Sequence, residues 1–139
     1  MEFKSLMHVS FFTDQMDVMR DFYENKLGLK VKIVTRAGLY KGLNRGKYSE
    51  VAEVYIEIAP GQFIELFPKD EGQAPHDEWN QRLGYSHFAL LVEDIEKTYR
   101  ELVECGVAID TPISKGPSHT YQMWVHDPDG NKFEIMQYT

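Results

Sequence analysis

The chain repeats one pattern of histidine and glutamate, and this repeat constrains its fold more than any other feature. His8 and His87 each open a short run of apolar residues, and Glu65 and Glu134 each lie inside a later apolar run. The histidines are 79 residues apart and the glutamates 69, because the first half carries about ten extra residues. A period this long does not suit a solenoid. It predicts two copies of one supersecondary unit.

Each half contains the same order of strand and helix patterns. Apolar residues alternate with polar ones in the strand runs, as in residues 54–58, and recur every three or four positions in the helical runs. Asp14 and Asp94 precede the helical runs as candidate N-caps, and Gly28 and Gly106 follow them as candidate stops. Each half is therefore predicted to have its secondary-structure elements in the order β-α-β-β-β. The prediction is an α+β protein whose two sheets surround a shared cleft.

The predicted boundaries follow from these runs and from the turns between them. The expected strands are residues 6–13, 31–35, 54–58 and 63–67 in the first half, and 85–92, 107–113, 121–125 and 132–138 in the second. Pro60-Gly61 and the run from Asp127 to Gly130 have turn composition. We expect one domain, residues 1–139, with repeat one at 5–68, a polar connector at 69–84 and repeat two at 85–138.

Composition narrows the class of protein. The 139 residues suffice for one core, and no run approaches the length needed to cross a bilayer. A formal net charge of −7 disfavours binding to nucleic acid or to an anionic membrane. Cys105 is the single cysteine, so it cannot form an internal disulfide. The chain is expected to be cytoplasmic and to bind a small molecule.

One basic cluster stands out against this acidic background. Lys41, Arg45 and Lys47 lie within nine residues that also contain two glycines. Two interpretations remain open: a solvated loop, or a mobile flap that pairs with an anionic ligand.

The two histidines and two glutamates are candidate metal ligands. On a strand, Glu65 shares its face with Phe63 and Phe67, so its carboxylate would lie among apolar side chains. Burying an unpaired carboxylate is costly, and a divalent cation offsets that cost while also accepting neutral imidazole nitrogen. Taken alone, each residue also fits a hydrogen-bonded or solvent-facing role. Together, in matching positions of a repeat, His8, Glu65, His87 and Glu134 predict one shared metal ion.

Aromatic residues accompany these ligands. Phe12, Phe63, Phe67 and Trp124 lie on the predicted strands. They either line an apolar substrate pocket or pack in the core.

The repeat, the four ligands and the ending from Asp127 to Ile135 resemble the vicinal oxygen chelate superfamily, and specifically its glyoxalase I-like branch. The resemblance covers nearly the whole chain. It implies the glyoxalase/bleomycin resistance/dioxygenase fold, in which tandem βαβββ repeats form a curved mixed sheet around a metal-binding cleft.

The same resemblance implies a lactoylglutathione lyase-like enzyme of methylglyoxal detoxification. Such an enzyme converts the thiol hemithioacetal of methylglyoxal, or of another 2-oxoaldehyde, to a 2-hydroxyacyl thioester through an enediolate. It implies one divalent metal per site, Ni²⁺, Co²⁺ or Zn²⁺, on His8, Glu65, His87 and Glu134. By similarity Glu134 is the favoured base, with Glu65 as its counterpart.

The thiol is left open. Glutathione-dependent relatives commonly carry an arginine four residues after the first histidine and an asparagine four after the first glutamate. Here those positions hold Phe12 and Lys69, whereas Lys115 resembles a lysine that meets a glutathione carboxylate. These residues are candidate substrate contacts, and a thiol other than glutathione fits equally well.

Other interpretations assume the same fold but assign a different function. One is another metalloenzyme of the superfamily, either a dioxygenase or a thiol transferase acting on an antibiotic. Another is a resistance protein that sequesters its ligand without turnover. A homodimer is expected by resemblance, and the four ligands close either within one chain or across two.

Overall fold

The computed structural model describes residues 1–36 and 51–139, and the basic cluster at Lys41, Arg45 and Lys47 lies outside them. The chain divides into two compact units, Met1–Ala74 and Pro75–Thr139. That the two units form one domain around a common cleft stays a prediction.

The first unit has the predicted β-α-β-β-β order. Its elements are β1 (His8–Thr13), α1 (Met16–Asp21) continued by a π-helical turn (Phe22–Lys26), β2 (Lys30–Arg36), β3 (Val51–Ala59) and β4 (Gln62–Pro68). The strands form one sheet in the order β1-β4-β3-β2, with β1 parallel to β4 and the other neighbours antiparallel.

The second unit repeats this topology. Its elements are β5 (Phe88–Leu91), α2 (Ile95–Glu104), β6 (Thr111–Lys115), β7 (Thr120–His126) and β8 (Lys132–Tyr138). The sheet order is β5-β8-β7-β6, again with one parallel pair, β5 with β8. The predicted tandem βαβββ architecture is confirmed.

Each sheet buries one face beneath a helix of its own unit. In the first unit Val54, Ile56, Ile64 and Leu66 are fully buried on the face that α1 covers through Met19. The second unit buries Met123, Val125, Phe133 and Ile135, and α2 lies against β6 and β8. Burying a side chain of this size stabilises a fold by roughly 1.5–3 kcal/mol. The opposite, open face of each sheet is where the predicted ligands lie.

The helix ends match the sequence in part. Asp94 caps α2 as predicted, since its carboxylate accepts a hydrogen bond from the Lys97 amide at 2.9 Å. The prediction for Asp14 is wrong, because α1 begins after Gln15 and no side chain caps it. The Gln15 amide instead donates to the Thr13 hydroxyl, which ends β1. Gly28 has a φ of 70°, the left-handed conformation predicted for a stop.

Three predicted strands are shorter in the structure. The strand expected at 6–13 begins at His8. The strand expected at 85–92 spans Phe88–Leu91. Tyr85 lies before it, where its hydroxyl donates a hydrogen bond to the Lys132 carbonyl at 2.6 Å. The strand expected at 107–113 begins at Thr111. Val107 is still tied to α2, since its amide donates to the Leu102 carbonyl. Within the described ranges, no helix is long and apolar enough to span a membrane.

Candidate metal centre

In the first unit the sheet brings His8 and Glu65 together. Strands β1 and β4 run parallel with Ser10 opposite Glu65, so His8 points its ring toward the glutamate from the same open face. The His8 Nε2 lies 3.2 Å from Glu65 Oε2. Although it belongs to the open face, Glu65 is only 4% exposed. A nearly buried carboxylate beside an imidazole is the arrangement that a cation stabilises.

Three further polar side chains surround Glu65. The Ser10 hydroxyl donates a hydrogen bond to Glu65 Oε2. Tyr55 lies directly opposite Glu65 on β3, and burial together with its hydrogen bond to Glu65 raises the pKa of the Tyr55 phenol to about 12. Burial and the neighbouring Glu65 carboxyl also raise the pKa of Glu53. Glu65 is therefore held in a network of polar groups.

Sequence analysis did not identify Ser10, Glu53 and Tyr55 as parts of the site. Glu53 and Tyr55 occupy the polar phase of an alternating strand, which on sequence alone indicates only the face away from the core. Their proximity to Glu65 depends on the β3–β4 register, in which Tyr55 pairs with Glu65. The Pro60-Gly61 turn places Ala59 opposite Gln62, but an irregularity between Glu57 and Ala59 shifts the pairing by one residue, and local sequence does not predict this shift.

In the second unit the sheet brings His87 and Glu134 together. His87 immediately precedes β5, and its Nε2 lies 3.7 Å from Glu134 Oε2. Its other ring nitrogen, Nδ1, is 2.9 Å from the Ser86 hydroxyl. Ala89 and Trp124 are the cross-strand neighbours of Glu134, and the Trp124 ring packs against His87 with centroids 4.6 Å apart.

The two pairs occupy matching positions with different neighbours. Ser10 and Ala89 are equivalent, since each lies opposite its glutamate on the parallel strand. Tyr55 and Trp124 are equivalent on the antiparallel strand. Glu65 thus has two hydroxyl-bearing neighbours, whereas Glu134 has an alanine and a tryptophan in the equivalent positions.

The other predicted contact residues divide between the units. Phe12 and Phe67 pack together at 5.7 Å, and Phe63 packs on Tyr55 at 5.5 Å, all on the open face that carries His8 and Glu65. Trp124 accompanies His87 and Glu134. Two predicted lysines are placed less closely. Lys69 follows β4, where its amide donates to the Thr13 carbonyl, and Lys115 is exposed at the end of β6.

The donors suit a divalent metal. Adjacent ligands of a divalent ion with bonds near 2.1 Å would lie about 3 to 3.5 Å apart. The His8–Glu65 separation of 3.2 Å matches this value, and the His87–Glu134 separation of 3.7 Å requires a small closure. Within the described part of the chain, no three His, Cys, Asp or Glu side chains are grouped to hold a metal ion. The shared four-ligand centre therefore stays a prediction.

Solved structures share this fold. A glyoxalase family protein from Enterococcus faecalis is 23% identical, with a TM-score of 0.75 over 96% of this chain and 98% of that one. A glyoxylase/bleomycin resistance protein/dioxygenase domain from Frankia sp. is 22% identical, with a TM-score of 0.74 over 99% and 94%. Lactoylglutathione lyase from Agrobacterium tumefaciens is 18% identical, with a TM-score of 0.63 over 96% and 92%. At these identities the likeness concerns the fold alone.

Two sequence comparisons bear on the family. The chain is 26% identical over 141 residues to a probable chloroplastic lactoylglutathione lyase from Arabidopsis thaliana; the match covers 96% of this chain and 36% of that protein. The chain thus spans about a third of the length of this relative. A family model described as the Glyoxalase/Bleomycin resistance protein/Dioxygenase superfamily matches residues 5–135. With nearly the whole chain matched, this protein belongs to that superfamily.

Proposed function

We propose that this protein is a metal-dependent lyase of the glyoxalase I kind. It would convert the hemithioacetal of a thiol and methylglyoxal, or another 2-oxoaldehyde, to a 2-hydroxyacyl thioester. The observation that carries the proposal is the His–Glu pair in each unit, at matching positions and with donor separations of 3.2 and 3.7 Å. Superfamily membership and the distant lactoylglutathione lyase relative support the same class of chemistry.

The four donors would hold one Ni²⁺, Co²⁺ or Zn²⁺ ion through His8, Glu65, His87 and Glu134. When bound, such an ion supplies Lewis-acid stabilisation of negative charge on the substrate oxygens. Imidazole nitrogen and carboxylate oxygen bind all three metals, so the ligand set does not select among them and a metal titration has to identify the preferred ion. The retention of both glutamates disfavours the dioxygenase alternative, which uses two histidines and one carboxylate.

The reaction also needs a base that removes a proton from the carbon beside a carbonyl. Glu134 suits this role better than Glu65. Ser10 and Tyr55 both hydrogen bond Glu65 and hold its carboxylate in place. Glu134 instead lies opposite Ala89, whose methyl group cannot donate a hydrogen bond, and is 3.7 Å from His87. Within residues 1–36 and 51–139, the Glu134 carboxylate has fewer hydrogen-bond partners than that of Glu65, so it is freer to take up a proton and return it to the neighbouring carbon.

The remaining parts of the substrate would meet the side chains around these pairs. Phe12, Phe63 and Phe67 offer an apolar surface in the first unit, and Trp124 offers one in the second. Lys69 and Lys115 are the candidate contacts for anionic groups of the thiol. We also propose a homodimer in a reducing compartment such as the cytoplasm, where the exposed Cys105 would remain a free thiol.

Metal binding tests this proposal first. Metal-stripped protein is titrated with Ni²⁺, Co²⁺ and Zn²⁺ by calorimetry, and the stoichiometry per chain is recorded. We expect one ion per chain, with affinity lowered at least about tenfold by Glu65→Gln and by Glu134→Gln. Glu104→Gln, at the exposed end of α2, makes the same charge change on the helix side of the second sheet and is the matched control.

Turnover of the loaded enzyme completes the test. Methylglyoxal is combined with a panel of thiols, and formation of the thioester is followed. Specific metal binding without turnover of any hemithioacetal would contradict a lyase. Failure to bind any of the three metals would favour the ligand-sequestering alternative.

A further inference from the structure

The two His–Glu pairs differ in how firmly their carboxylates are held. In the first unit the Ser10 hydroxyl and the Tyr55 phenol both hydrogen bond the Glu65 carboxylate. In residues 1–36 and 51–139, no side chain hydrogen bonds to the Glu134 carboxylate, and His87 is its ion-pair partner at 3.7 Å. Hydrogen bonds therefore fix the direction of the first carboxylate and not that of the second.

Tyr55 contacts both members of the first pair. It lies opposite Glu65 on the neighbouring strand, and its ring packs edge to face on the His8 imidazole, with centroids 5.9 Å apart. Phe63 packs edge to face on Tyr55 at 5.5 Å and so restricts the movement of the phenol ring. One aromatic side chain thus supports the imidazole and the carboxylate together, with their donor atoms 3.2 Å apart.

The contacts of the second pair act on its imidazole. The Ser86 hydroxyl lies 2.9 Å from His87 Nδ1, and the Trp124 ring packs on the same imidazole with centroids 4.6 Å apart. Trp124 and Ala89 are the cross-strand neighbours of Glu134, and neither side chain carries a hydroxyl group. The second unit therefore orients its histidine but lacks the two hydroxyl groups that orient the glutamate of the first.

Burial also favours the first pair as a metal-binding half. The Glu65 side chain is 5% exposed and the Glu134 side chain 12%. A carboxylate that has already lost most of its hydration gives up less water when a cation binds. The hydrogen bonds from Ser10 and Tyr55 occupy two of roughly four lone-pair directions of a carboxylate, so Glu65 can still bind an ion.

We propose that the first His–Glu pair is the stronger half of the metal site, and that Ser10 and Tyr55 are the positioning residues that make it so. A ligand that is already oriented loses less conformational freedom on binding. Groups that orient metal ligands typically change metal affinity about ten- to a hundredfold. This inference rests on the metal centre of the proposed function and not on the reaction.

Substitution of each carboxylate tests which half is stronger. Metal-stripped Glu65→Gln and Glu134→Gln proteins are titrated with Zn²⁺ by calorimetry, after circular dichroism has verified that both are folded. We expect Glu65→Gln to weaken Zn²⁺ binding at least about tenfold more than Glu134→Gln does. Each variant is the charge-matched control of the other. Equal losses of affinity, or the larger loss in Glu134→Gln, would overturn the proposal.

Removal of the hydroxyl groups tests the positioning role. Ser10→Ala and Tyr55→Phe keep all four ligands, and each should weaken Zn²⁺ binding about tenfold. Ser10→Thr keeps a hydroxyl on the same carbon and should bind Zn²⁺ as wild type does. Tyr121→Phe, on β7 in phase with the buried Met123, removes a phenol oxygen from the helix side of the second sheet and should leave the affinity unchanged.

Two results would overturn the positioning role. One is wild-type affinity in both Ser10→Ala and Tyr55→Phe. The other is a loss in Ser10→Thr equal to that in Ser10→Ala, since the effect would then come from packing on β1 and not from the hydroxyl group.

The same titrations separate this inference from the proposed function. Stronger binding of Zn²⁺ by the first pair, without turnover of any hemithioacetal, would keep the inference and contradict the lyase. Turnover by wild type, with equal losses of affinity in Glu65→Gln and Glu134→Gln, would keep the lyase and overturn the inference. A wild-type protein that binds none of Ni²⁺, Co²⁺ and Zn²⁺ would overturn both.

Discussion

Single side chains distinguish two glutamates that the fold places in equivalent positions. Glu65 accepts a hydrogen bond from Ser10 and lies opposite Tyr55, whereas Glu134 lies opposite Ala89 and Trp124. A carboxylate fixed by hydrogen bonds is a good structural ligand, and one with fewer fixed contacts is a better proton carrier. Under the proposed function, we therefore expect the two residues to have unequal roles.

Substitution of each glutamate by glutamine should separate these roles. With saturating metal, Glu134→Gln should lower kcat by at least about a hundredfold, because glutamine cannot accept the substrate proton. Glu65→Gln should chiefly weaken metal binding and lower kcat less. Steady-state kinetics at several metal concentrations measure both effects. A Glu134→Gln enzyme within twofold of wild type would contradict the assignment.

At the scale of elements, the turn between β7 and β8 is held by one buried carboxylate. Asp127 is fully buried and accepts hydrogen bonds from the amides of Asp129 and Asn131, each at 3.0 Å, and from the Asn131 side chain at 2.9 Å. This turn sets the register of β8, and so the position of Glu134 opposite Trp124.

Asp127→Ala should therefore destabilise the protein by about 2–3 kcal/mol, since it leaves several donors without their acceptor. Urea denaturation followed by circular dichroism measures the loss. Asp94→Ala removes a single exposed cap bond from α2 and should cost about 1 kcal/mol. Equal losses in the two variants would show that the Asp127 network contributes no more than an ordinary helix cap.

The elements themselves could be predicted from the sequence to a large extent. Alternation in β3 and β4, the Asp94 cap and the positive φ of Gly28 all follow from local chemistry, and the structure agrees. Asp14 is not the cap because α1 begins one residue later than expected, with Gln15 at the N-cap position. Local sequence patterns do not indicate which of two neighbouring polar residues will occupy the N-cap position of a helix.

The site was predictable only where the repeat made it so. His8 and Glu65, like His87 and Glu134, could be paired by their matching positions, and the structure places each pair within 4 Å. Glu53 and Tyr55 could not be anticipated, because their proximity to Glu65 is set by sheet register. Site residues could be predicted where both repeats carry the same residue type in matching positions. Residues without such a counterpart in the other repeat could not be predicted in this way.

At the scale of the whole molecule, each compact unit contains half of the proposed ligand set. His8 and Glu65 belong to Met1–Ala74, and His87 and Glu134 to Pro75–Thr139. A dimer could combine the first unit of one chain with the second unit of its partner. Mixing two inactive variants distinguishes this arrangement from a site within one chain.

His8→Ala and His87→Ala should each abolish activity. If sites form across subunits, unfolding and refolding the two variants together should restore about a quarter of wild-type activity, because half of the dimers would be mixed and each would hold one intact site. Each variant refolded alone is the control. Activity that stays at the level of the separate variants would place all four ligands within one chain.

The unequal neighbours of the two glutamates also bear on stereochemistry. Under the proposed function, a ligand set of two matching His–Glu pairs would look alike from either side of a planar, deprotonated substrate. Such a set alone would return the proton to either face and yield a racemic product. Ser10 against Ala89, and Tyr55 against Trp124, break that equivalence. Handedness in the product would then originate in the positions where the two halves of the chain have diverged.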